Sequence, residues 1–166
     1  MIEHDPIIVI RDLLNQQWSP SRTSGIDITP HTGWYDFGSG GPQVTVTNDN
    51  SFAIEGGATG QTAGTGDGGV VQVRSGTVLV NAWAGNRDDL RGEAPGGGDL
   101  NPKLLAFQMG AEIHRIIQSN ASSVDEFISV GADDIRSLVD DDVPETVYRR
   151  EVTVRYTYHD AAAQTP

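Results

Sequence analysis

At 166 residues the chain is sized for one domain with a core of its own, and its longest apolar run, Ile7–Ile10, is far short of the roughly 20 residues of a membrane-spanning helix. It has no cysteine, which excludes disulfides, thiolate catalysis and cysteine-ligated zinc or iron–sulfur sites. Its formal net charge is −12 and Lys103 is its single lysine. Such a surface repels itself, is calmed by salt, and does not suit a basic face that grips DNA phosphates.

Acid-rich, lysine-poor composition is the pattern of halophilic proteins. The opening Met-Ile-Glu-His-Asp lacks a basic region followed by an apolar one, so no signal peptide and synthesis in the cytoplasm are expected.

Asp5-Pro6 predicts a helix start, with Asp as N-cap and Pro at the first helical position. The run through Gln17 puts Ile7, Ile10, Leu13 and Leu14 on one face, and Trp18, Pro20 and Gly25 end it. Residues 19–42 read as an irregular loop whose aromatics, Trp34, Tyr35 and Phe37, pack onto something. Gln43–Asn48 alternates as a strand, and Asn48-Asp49-Asn50 reads as a turn. Residues 56–69 are half glycine and predict a flexible loop or an extended hairpin tip.

Val70–Val73 and Thr77–Trp83 read as two strands about a tight Ser75-Gly76 turn; Val78, Val80 and Ala82 face one way, and Leu79, Asn81 and Trp83 the other. Residues 85–98 form a further loop. The clearest helix follows, capped by Asn101 or Asp99 and opened by Pro102, with Leu105, Met109, Ile113, Ile116 and Ile117 as its core stripe. Gln108, Glu112, Arg115 and Gln118 fall mainly outside that stripe, and Leu104, Phe107 and Ala111 make a second, weaker apolar line. Glu126–Val130 reads as a strand, Ile135–Val139 as a short strand or a turn of helix, and Asp140–Glu145 as an acidic loop. From Tyr148 to Tyr158, Val152, Val154, Tyr156 and Tyr158 alternate with Glu151, Thr153, Arg155 and Thr157, which predicts a long strand with one apolar and one charged face. The expectation is a single α+β domain over residues 1–160, a mostly antiparallel sheet with two main helices packed on one face, and a disordered tail at 161–166.

No catalytic, cofactor or metal site is expected. Gly64, Gly66 and Gly69 satisfy G-x-G-x-x-G, but a strand follows them where a dinucleotide site needs a helix. His4, His31, His114 and His159 lack metal-ligand spacing, and no serine sits in a nucleophile elbow. Asp140, Asp141 and Asp142 are consecutive and cannot all reach one cation, so a solvated loop is the better reading. Asn120-Ala121-Ser122 is a glycosylation sequon, yet Asn120 also falls where the helix should end, and a cap is favoured. Arg149 and Arg155 share the face opposite the Val/Tyr stripe and need carboxylate partners, either within the chain or on a neighbouring subunit.

Three features together resemble the tail terminator (tail completion) proteins of long-tailed phages: the first helix with Asp5-Pro6 and Leu13-Leu14, the central helix Pro102–Asn120, and the ending in which Asp140–Glu145 leads into Tyr148-Arg149-Arg150 and alternating valines. The resemblance implies a tail-terminator-like fold. It also implies a structural virion protein, assembled in the host cytoplasm, that forms a homohexameric ring, caps the tail tube and joins it to the neck and head. Its partners would be itself, the tail tube protein and a neck (head–tail) adaptor; DNA would pass through the lumen without specific binding, and no membrane or cofactor is involved. With the composition it implies a tailed virus of a halophilic archaeon.

On this reading the seam candidates are Leu104, Phe107 and Ala111 of the central helix and Arg149 and Arg155 of the last strand. The glycine-rich tip, with Gly56, Gly60, Gly64 and Asp67, is the candidate docking loop for tube or neck proteins. Other readings of the same residues are a neck adaptor, a tail tube protein, a small cytosolic enzyme of a halophile, and a ligand-binding module built on Trp34, Tyr35 and Trp83.

Overall fold

The structure, a computed structural model, describes residues 5–34, 41–53, 63–64, 70–85, 92, 100–140 and 147–160. The readings of Tyr35 and Phe37, of most of the 85–98 loop, of Asp141–Glu145 and of the tail at 161–166 lie outside them.

Asp5 caps helix α1 (Pro6–Gln17), its Oδ1 accepting the Ile7 N–H at 2.9 Å. After a short 3-10 turn at Pro20–Arg22 the chain doubles back, with Ser24 and Gly25 at positive φ of 54° and 82°. Strand β1 (His31–Thr32) and strand β2 (Gln43–Ala53) follow, then β3 (Ala63–Gly64), β4 (Val70–Gly85), helix α2 (Pro102–Ser119), β5 (Ser129–Asp140) and β6 (Val147–Asp160). Asn101 caps α2 through its side-chain oxygen, which accepts the Lys103 and Leu104 N–H groups at 3.0 and 3.2 Å.

The strand order is β1-β2-β4-β6-β5, with β3 on the start of β4. β1 runs parallel to β2 and every other pairing is antiparallel. The fold is therefore α+β, with both helices on one face of a mostly antiparallel sheet. α1 contributes Ile10 and Leu14, and α2 the whole expected stripe from Leu105 to Ile117. The sheet meets them with Val44, Val46, Val78, Val80, Ala82, Val152 and Val154, all fully buried. Each of these valines contributes about 1.5–3 kcal/mol when fully withdrawn from water.

Four local expectations are corrected. Ser75-Gly76 is no turn: both residues pair with Phe52 and Ser51 of β2 on one side and with Thr157 and Tyr156 of β6 on the other. Two ladders of hydrogen bonds outweigh local turn preference in a central strand. Asn48-Asp49-Asn50 is likewise a β-bulge inside β2, where Asp49 is the extra residue between the Asn48–Val78 and Asn50–Thr77 pairs. The segment read as two pieces, Glu126–Val130 and Ile135–Val139, is one strand beginning at Ser129, bulged between Ala132 and Asp134. The bulge breaks the alternation that a strand reading depends on.

Glu112, placed outside the core stripe, is 1% exposed. Its carboxylate accepts the Ser19 N–H at 3.1 Å and the Arg115 Nε–H, while Arg115 also donates to the Gln17 carbonyl at 3.1 Å. A carboxylate can be buried when its oxygens are partnered this fully; here it ties the end of α1 to α2.

Candidate subunit interface

The second apolar line of α2 stands in solvent. Leu104 is 54% and Phe107 55% exposed, and Ala111 is also exposed. Phe107 forms a ridge between two depressions. One, of about 310 Å³, is bordered by Arg22, Gln108, Ala111 and Glu112. The other, of about 100 Å³, runs from α2 to the paired ends of β5 and β6 and is bordered by Lys103, Leu138, Val139, Tyr148, Arg149 and Arg150. Val139 is 51% exposed beside it. Scattered exposed apolar side chains need no explanation, but several on one adjoining surface make it a candidate for interaction.

The charge of this face is opposite to that of the chain. Arg22, Lys103, Arg149 and Arg150 border the two depressions, whose described lining holds one carboxylate, Glu112, engaged by Arg115 and Ser19; Arg149 itself has Glu151 at 3.9 Å.

Arg150 was not among the expected residues and is central to the arrangement. It shares strand parity with Val152 and Val154, so it points toward the helix layer. Its guanidinium lies 5.1 Å from the Phe107 ring centroid, and it donates to the Ser137 hydroxyl. Its aliphatic stem crosses α2 at Gly110, where a Cβ would collide with Arg150 Cγ and Cβ. A glycine in mid-helix and an arginine two residues before a buried valine were the available signals.

The arginines expected on the opposite face are already partnered within the chain. Arg149 lies 5.4 and 5.0 Å over the rings of Trp34 and Trp83, which meet edge-on at 5.1 Å, and 3.9 Å from Glu151. Arg155 pairs with Asp133 at 3.1 Å. Arg136 reaches across from β5 to Glu151, and that hydrogen bond first, then the carboxylate charge, raises the Arg136 pKa further above its ordinary value. Of the seam candidates, the two arginines thus have partners within the chain, whereas Leu104, Phe107 and Ala111 are exposed. Of the docking-loop residues, Gly64 lies in β3 opposite Val70, whereas Gly56, Gly60 and Asp67 lie outside the described residues.

Asn120 is the α2 C-cap. It is buried, and its Nδ2 donates to the Ile116 carbonyl at 2.7 Å and to Gln17 Oε1 at 2.8 Å. The nitrogen that glycosylation would modify is thus committed to the fold. Among the described residues no group of three or more His, Asp or Glu could hold a metal, and no helix is long and apolar enough to cross a membrane.

No protein-family model matches this sequence, and no curated protein matches it significantly.

Proposed function

We propose that this chain is a ring-forming structural subunit of a virion tail, the tail terminator to which its order of elements is similar. The observation that supports the reading is the exposed Leu104–Phe107–Val139 surface, a row of apolar groups flanked by Arg and Lys on a chain of net charge −12. A second copy of so acidic a chain is repelled at long range, and a locally basic, apolar face is what such a copy can meet. In this role the subunit acts by geometry: one surface on each copy joins a different surface on the next, and rotation closes the ring. The ring caps the tail tube, contacts a neck adaptor, and lets DNA pass a lumen whose acidity repels it.

The test is the native mass of the purified protein from dilute to concentrated salt, followed by class averages of negatively stained particles. Assembly that grows with salt, ending in a six-fold ring with a central hole, is the expected outcome. A monomer at every salt and protein concentration overturns the ring reading.

A further inference from the structure

The structure also points to what the Phe107 ridge meets. We propose that it seats in the groove between α1 and the turn at residues 120–126 of the neighbouring copy. The inference rests on the self-assembly reading above and adds the identity of the counter-surface.

The groove encloses about 600 Å³. Its lining is more polar than apolar and carries three acids, Asp12, Asp125 and Glu126, beside the apolar Leu13, Val124 and Ile8, the last 40% exposed. No Lys or Arg is among its described lining residues. Asp12 is bound to Arg11 at 2.9 Å, whereas Asp125 and Glu126 make no side-chain hydrogen bond or ion pair among the described residues. The ridge offers the complement: an apolar tip, Phe107, with Arg22, Lys103 and Arg150 around it.

The two surfaces lie toward opposite ends of α2. The ridge residue Phe107 lies on its second turn and the groove begins at Asn120, just past its last residue, a separation of about 20 Å along the helix. Ridge and groove on one copy therefore cannot meet each other and must be filled by another copy, and a head-to-tail arrangement of these unlike surfaces is the one that a ring requires. A symmetric ridge-on-ridge contact would bring the three bases of each copy together, a like-charge arrangement that costs affinity. Strand addition at the free side of β5 is opposed by its bulge and by the exposed Asp133, Asp134 and Arg136, devices that blunt a sheet edge. What remains is a side-chain contact of unlike surfaces, the kind that closes rings.

Two variants, each altering one surface, test this by native mass at the lowest salt at which the wild type assembles, where the charges of the two surfaces are least screened. Phe107→Glu puts a carboxylate on the ridge, and the double change Asp125→Arg, Glu126→Arg reverses the groove. Each alone is expected to raise the concentration for half-assembly by roughly tenfold or more, the scale of losing a central interface contact. Mixed one to one they are expected to give a two-chain species, because the first keeps its groove and the second its ridge. Thermal melting verifies that both variants fold; Leu104→Glu, on the same exposed face, replaces Phe107→Glu if that variant melts early.

If the wild type assembles and the groove variant assembles equally well, the groove is not the counter-surface and the proposal falls while self-assembly stands. If both variants fail and their mixture stays monomeric, the two surfaces do not meet and the proposal falls in the same way. If the wild type itself never assembles, both readings fall.

Discussion

The two faces of the sheet are buried to similar depth by different chemistry. Toward the helices the central positions, Val46, Val80 and Val152 among them, are hydrocarbon, and α1 and α2 cover them. On the other face Gln43, Thr45, Asn81, Trp83 and Glu151 are also buried. There the Trp83 indole N–H donates to Thr45 Oγ1 at 3.0 Å, and Glu151 is held by Arg136. Asn81 is fully buried, and neither amide atom is hydrogen-bonded among the described residues. Depth of burial thus says little about composition. The helix-covered face gains from apolar area, which is non-directional, and the polar face depends on individual partnerships, each of which can be present or missing.

Three substitutions sharpen the contrast. The largest effect is expected at the centre of the apolar face: Ile113→Ala, at a fully buried site of α2, should lower unfolding free energy by about 2–5 kcal/mol, read from denaturant titration. A loss near zero would mean that α2 is not docked on the sheet in solution.

The next effect is at the margin of that face. Gly110→Ala improves helix propensity, worth about 1 kcal/mol at an exposed site, yet here the new methyl meets the Arg150 stem. A net loss of about 1–3 kcal/mol is expected from such overpacking. Adding Arg150→Ala should recover part of it, and a gain in stability from Gly110→Ala alone would show that Arg150 lies elsewhere.

The smallest effect has the opposite sign. Asn81→Val on the polar face removes a buried amide that has no partner among the described residues, whose desolvation costs about 1–3 kcal/mol, and installs a residue suited to strands. A rise in melting temperature is expected. A fall would show that the amide is hydrogen-bonded in solution, by water or another group.

Much of the helix-covered face was legible in advance. Asp5-Pro6 and Asn101-Pro102 are local capping signals, and both helices begin where those pairs stand. The α2 stripe and the alternation of Val152, Val154 and Tyr156 are periodic signals that need no partner to be read. The candidate interface surface was only half legible. Leu104, Phe107 and Ala111 follow from helical spacing, but Arg150 and Val139 join them only because β5 and β6 end beside the first turns of α2. The bulges at Asp49 and Asp133 misled the reading for a related reason: one inserted residue inverts the alternation, and pairing across strands is what absorbs it.

By itself the sequence determined what is local: the helix starts, the apolar stripe of α2, the long last strand, the class of fold and the charge that any partner must accommodate. What depends on residues far apart in the chain came from packing. It made Ser75-Gly76 the middle of a strand, because two neighbouring strands supply hydrogen bonds that a turn would forgo. It buried Glu112, because Ser19 and Arg115 arrive to satisfy it. And it placed Arg150 against Phe107, since a side chain's direction can be read from strand parity, but what it meets there is set by how a helix and a sheet pack.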